Sequence, residues 1–154
     1  MSDPATINPR IVEALYMEAL SLSDEVRSAF TLSGRLERAR SEEDFARIAL
    51  SSEGLRTTTR MMHAIAWLLN HRAYFMGELN ELQLRHHGRL APEMRASDPE
   101  HLVSLEPQIR TLVEATRTFY DRLLRLDQTW RAESAGQASG LQRLRERLEQ
   151  RLAS

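Results

Sequence analysis

The stretch Arg56–Leu79, reading RTTTRMMHAIAWLLNHRAYFMGEL, constrains the fold more than any other part of the sequence. It contains no proline, and at about 100° per residue its side chains separate into two arcs. Leu55, Thr58, Met61, Met62, Ile65, Leu68, Leu69, Ala73, Phe75, Met76 and Leu79 fall on one broad arc. Arg56, Arg60, His63, Trp67, Asn70, His71, Tyr74 and Glu78 fall on the opposite one. The expectation is a central helix whose apolar arc touches more than one neighbouring helix and whose polar arc carries two aromatic rings. Strand-type alternation is absent along the whole sequence.

Upstream, the same helix has an entry signal at Ser41-Glu42-Glu43-Asp44, where acidic residues complement the helix dipole. From Phe45, the seam Phe45, Ile48, Ser52, Leu55, Thr59, Met62, Ala66, Leu69, Ala73, Met76 keeps a heptad rhythm. Gly54 interrupts it. Glycine costs about 1 kcal/mol inside a helix relative to alanine, and the preceding Ser51-Ser52 suits a fresh cap, so a bend or break is expected there.

The remaining segments are also helical in pattern. Asn8-Pro9 is an Asx cap with proline at the first helical position, opening a helix to about Leu32 with the stripe Ile11, Leu15, Ala19, Leu22, Val26, Ala29. Ser33-Gly34 suits its end, although Arg35 to Arg40 are able to continue it. The proline-rich connection Asn80–Pro107 has room for a helical turn or two, with Asp98-Pro99 as a turn signal. Ser104 and Pro107 then start a third helix to about Trp130, with Ile109, Leu112, Val113, Thr116, Phe119, Tyr120, Leu123 and Leu126 on its apolar arc. Beyond it lie the small-residue stretch Ala132–Gly140, of linker composition, and a segment carrying Leu141, Leu144, Leu148 and Leu152 on one helical face. The predicted architecture is an all-α three-helix bundle with a long central helix in residues 1–131. A linker and a flexible or short-helical amphipathic tail follow in 132–154.

Composition narrows the chemistry. The net charge is −1 with 28% charged residues, so no global basic field is available for nucleic acid or anionic lipid. Cysteine is absent, and all 21 basic residues are arginine. Thiolate chemistry, Schiff-base amines and a P-loop lysine are therefore excluded. No run of about 18 apolar residues or signal-type segment occurs, which reads as a cytoplasmic chain with no membrane contact. His86, His87 and His101 read as loop histidines rather than ligands, having no two-on-one-face spacing and no completing carboxylate. His63 and His71, two turns apart around Trp67, are too distant to share a metal, so a hydrogen-bonded place at the core rim is expected of them. Arg72 falls within the apolar arc and requires an acceptor, either Asp121 or Asp127 within the chain or a group on a second copy. No acidic residue stands three before a helical histidine and no glycine-flanked serine elbow exists, so no catalytic residues, metal or cofactor are expected.

The segment Leu55-Arg56-Thr57-Thr58-Thr59-Arg60-Met61-Met62 is followed by Ala66-Trp67-Leu68-Leu69 and then His71-Arg72-Ala73. It resembles the signature L-R-x-T-T-R-L-M, S-W-L-L-x-x-R-A of an alphaproteobacterial family that includes the regulator of CtrA degradation, with Ala66 in place of serine. The resemblance covers Phe45 to Gly77. It implies a helical-bundle adaptor without catalytic residues that helps deliver substrates, response-regulator clients among them, to the AAA+ protease ClpXP in cell-cycle-regulated proteolysis. The surfaces expected to meet protein partners are His63, Trp67 and Tyr74 on the central helix and Leu141, Leu144, Leu148 and Leu152 in the tail. The surplus of apolar arc on a central helix taken to be longer than its partners also predicts a homodimer. The competing reading is a dimeric helical regulator holding a small ligand between helices, with His63, Trp67 and Tyr74 lining the site.

Overall fold

Asn8 starts the first helix as its spelling predicts. Its side-chain oxygen accepts from the Ile11 amide at 3.0 Å and its carbonyl from Val12 at 3.1 Å, with Pro9 at the first helical position. The computed structural model describes residues 7–40 and 44–153, and among them every regular element is helical. The elements are α1 (Pro9–Arg40), α2 (Asp44–Phe75), α3 (Glu81–His87), a 3-10 turn (Pro92–Arg95), α4 (Pro99–Ser104) and α5 (Pro107–Ala153). The entry signal at Ser41, Glu42 and Glu43 lies outside the described residues.

Boundaries depart from the sequence reading where packing outweighs local signals. Helix α1 runs through Ser33-Gly34 to Arg40. Helix α2 is continuous through Gly54, where a Cβ would stand 3.0 Å from Phe30 Cδ1 of α1, so the glycine serves as a notch for the Phe30 ring and not as a break. The helix stops at Phe75, short of Leu79. Gly77, at φ +80°, allows the Gly77 amide to reach Tyr74 O (3.1 Å) and the Glu78 amide to reach Ala73 O (2.8 Å), a Schellman closure. Asp98-Pro99 is the cap and first residue of α4, Asp98 accepting from the Glu100 amide at 2.9 Å, and Ser104 ends that helix instead of capping the next.

Helices α1 and α2 have 32 residues each and α5 has 47, so the central helix is not the longest. Helix α5 passes unbroken through 132–140, where a flexible linker was expected. Ser134 is buried there and donates to Glu81 of α3, which anchors the helix past Trp130. The alanines, Gln137 and Glu133 around it are good helix formers that offset two glycines. From Ala135 onward its described side chains are exposed.

The main core joins Val12, Leu15 and Ala19 of α1, Met61, Ala64, Trp67 and Leu68 of α2, Leu90, and Phe119, Tyr120 and Leu123 of α5. A second cluster, Leu105, Ile109 and Val113, packs with Ala29, Phe30, Leu50 and Leu102. Helix α2 touches α1, α3, α4, α5 and the 3-10 turn. Its predicted apolar arc is divided: Met61 and Leu68 are buried and Ile65 and Phe75 pack against the core, but the rest of the buried face is drawn largely from outside that arc. Glu53, Thr57, Arg60, Ala64, Trp67 and His71 face inward, while Leu55, Met62, Leu69 and Met76 face outward.

Candidate protein-interaction surfaces

The inward face of α2 is a seam at steps of four, three, four, three and four: Glu53, Thr57, Arg60, Ala64, Trp67, His71. Arg60 is fully buried, and its guanidinium is met by neutral acceptors. Nε donates to Met94 O at 2.8 Å, one terminal nitrogen to Thr116 Oγ1 at 2.9 Å, and the other to Ala96 O at 3.1 Å and Ser97 Oγ at 3.0 Å. Burial, followed by the nearby positive charge of Arg117, lowers its pKa to about 10, which leaves it cationic at neutral pH. One side chain thereby fastens segment 94–97 across α2 and α5, satisfying backbone carbonyls that α2 has no other means of reaching.

Two further buried groups share this face. Trp67 Nε1 donates to Asp127 Oδ1 at 3.0 Å, and Arg131 Nε donates to Asp127 Oδ2 at 3.0 Å while a terminal nitrogen reaches Arg85 O at 3.2 Å. His71 lies against the Trp67 ring (4.2 Å between centroids) and edge-on to Trp130 (5.5 Å). Both its ring nitrogens are buried without a hydrogen-bond partner, so the core-rim histidine expected from the sequence is a neutral aromatic plug. Desolvation lowers its pKa to about 4 despite the pull of Asp127. Buried Glu53 accepts the Asp98 amide at 3.0 Å and lies 3.9 Å from His101 Nδ1. His101 therefore belongs to α4, between the Glu53 and Asp98 carboxylates, and not to an exposed loop; His86 and His87 are exposed at the end of α3. Among the described residues, no group of three or more histidines and carboxylates is placed to hold a metal ion.

The residues predicted to meet partners are thus divided. Trp67 is a core residue committed to Asp127, His63 is exposed, and Tyr74 is half-buried beside Phe75 and Trp130. These three do not form one surface. Arg72 pairs with Glu13 of α1 at 2.8 Å instead of Asp121 or Asp127. The apolar surface exposed to solvent lies elsewhere. Along α2 and the residue just after it, it is Ile48, Leu55, Met62, Leu69 and Met76, spaced by sevens and 56, 70, 65, 42 and 63% exposed. On the projecting part of α5 it is Leu141, Leu144, Leu148 and Leu152, 53 to 87% exposed. A groove of about 580 Å³ opens between α1 and α5, bordered by Ile11, Leu15, Leu126, Arg122 and Arg125. The buried polar seam was readable in principle from its four-three spacing, but its residue types argued for a solvent face.

No helix among the described residues is long and apolar enough to cross a membrane. A family model described as "Protein of unknown function (DUF1465)" matches residues 4–152. No curated protein and no solved structure matches the chain.

Proposed function

Taking as premise that the chain belongs to the DUF1465 family, we propose that it is a non-enzymatic adaptor, working as a homodimer in a helical-bundle form, that brings protein substrates to a ClpXP-type protease. The observation that carries this reading is the projecting end of α5. Four leucines at steps of three, four and four lie on one helical face with 53 to 87% of their surface exposed, and the described residues around them from Ala135 onward are exposed too. An isolated apolar helix face has the form of a ligand for a groove on another protein, read by anchors at i, i+3 and i+7. The resemblance of Leu55–Met62 and Ala66–Ala73 to the regulator of CtrA degradation gives the choice of protease and of response-regulator clients.

The competing regulator reading would have to use the α1–α5 groove, whose two arginines, Arg122 and Arg125, favour an anionic amphiphile. The test is a degradation assay with purified ClpXP and a response-regulator client. The full chain is expected to shorten client half-life several-fold, and the variant with Leu141, Leu144, Leu148 and Leu152 changed to serine to lose that effect while keeping its thermal midpoint. An unchanged half-life with the full chain overturns the adaptor reading.

A further inference from the structure

The outward face of α2 has a second property besides exposure. Its large residues, Ile48, Leu55, Met62, Leu69 and Met76, alternate along the helix with Ser52, Thr59, Ala66 and Ala73, which complete the heptad. We propose that this face is the self-association surface of the chain, and that it pairs with α2 of a second copy in antiparallel orientation. The inference rests on the homodimer part of the proposed function and not on its protease partner.

Size complementarity selects the orientation. In a parallel pair equal positions meet, so leucine and methionine layers alternate with alanine and serine layers, and the helices are wedged apart and then left unfilled. In an antiparallel pair with its two-fold axis level with Arg60 and Met61, Leu55 faces Ala66, Met62 faces Thr59, Leu69 faces Ser52, and Ile48 faces Ala73. At the ends Met76 meets Phe45. Every layer then sets a large side chain against a smaller position, apart from the two terminal ones. The contact is isologous, as a closed two-fold dimer requires.

Extent and charge fit the same occupant. From Ile48 to Met76 the stripe runs roughly 42 Å at about 1.5 Å per residue. It exposes on the order of 600 Å² of apolar surface per copy, at the upper end of what an ordinary monomer leaves open and three quarters of the roughly 800 Å² per partner of a standard stable interface. None of the heptad positions is charged, so pairing two copies buries no like charge at the seam. The tail leucines of the same chain span only about 16 Å and would leave most of the stripe open.

The chain has no cysteine, so single cysteines report the geometry directly. Leu55→Cys and Ala66→Cys proteins, mixed as full-length chains and exposed to a mild oxidant, are expected to give a disulfide-linked heterodimer. Each alone is expected to give little, because equal positions lie about 16 Å apart along the axis. Leu69→Asp should raise the dimer dissociation constant at least a hundredfold in sedimentation equilibrium while leaving helical content unchanged. Self-linking of Leu55→Cys alone means a parallel pair and overturns the proposal. So does a wild-type chain that stays monomeric at tens of micromolar, or a dimer lost on truncation after Gly136, which would make the tail the occupant. Failure of the adaptor reading shows only in client half-life, and leaves these cross-links in place.

Discussion

Helix α2 carries two seams: a polar one faces inward beside the buried Met61 and Leu68, and a longer apolar one faces solvent. The inward seam holds Glu53, Thr57, Arg60, Trp67 and His71, whereas the outward seam holds Ile48, Leu55, Met62, Leu69 and Met76. For Arg60, Trp67 and one Glu53 oxygen burial follows available partners, whereas the Thr57 hydroxyl and both His71 nitrogens are buried without one. Segment 94–98 brings carbonyls, a serine and an amide to Arg60 and Glu53, and α5 brings Thr116 to Arg60 and Asp127 to Trp67. Polar groups so matched lose little on leaving water. The apolar seam is then left facing outward, exposed to solvent in the single chain.

The largest test of that contrast is Arg60→Met. It keeps the apolar stem but leaves the carbonyls of Met94 and Ala96 and the Ser97 and Thr116 hydroxyls without their donor. Leaving neutral buried acceptors without their donor costs about 1 to 3 kcal/mol for each that stays dry, and calorimetry should show a midpoint lower by about 10 °C. Arg60→Lys should recover little of this, since one ammonium lacks the fork that spans α5 and segment 94–97.

The next effect is a pH dependence centred on His71. Its pKa is about 4 in the fold against 6.5 as the ordinary value, so the unfolded chain binds the proton more readily between those limits. Stability is fully present above about pH 6.5, declines as pH falls toward 4, and loses nothing further from this group below that. Asp127 and Arg131 are the charges acting on it, and they oppose one another. From pH 7 to pH 5 the loss should be about 2 kcal/mol at about 1.4 kcal/mol per unit. His71→Phe, which keeps an aromatic ring between Trp67 and Trp130, should flatten this limb in thermal melts.

The smallest effect concerns the notch at Gly54. Alanine gains about 1 kcal/mol of helix propensity, but its Cβ stands 3.0 Å from Phe30 Cδ1. The two nearly offset, so Gly54→Ala should change stability by less than about 0.5 kcal/mol in urea titration. Gly54→Val adds branching against the same ring and should destabilise measurably.

The sequence made the helical class legible through the Asn8-Pro9 cap, the α1 stripe and the arc of α5. The α1 stripe is borne out, with Leu15, Ala19 and Val26 buried and Ile11, Leu22 and Ala29 half-buried. The orientation of α2 was not legible, because a helix with apolar residues on two sides offers no single direction for its core. The acceptors that draw Arg60 inward lie more than thirty residues away, on a segment whose course local spacing does not encode. Gly54 was misleading as a breaker, since a glycine in a packed helix also answers to its neighbours, here the Phe30 ring. The tail leucines were visible at once, but not that they continue α5 beyond Ser134.

Leu68 and Leu69 are adjacent, chemically identical, and on opposite sides of this account: the first is fully buried in the main core and the second lies in the outward seam. Urea unfolding of Leu68→Ala and Leu69→Ala, at protein concentrations low enough to leave the chain monomeric, tests this division of the apolar arc directly. The account predicts a loss of about 2 to 5 kcal/mol for Leu68→Ala and less than about 1 kcal/mol for Leu69→Ala. Equal losses, or the reverse order, would place the outward seam in the core and contradict it.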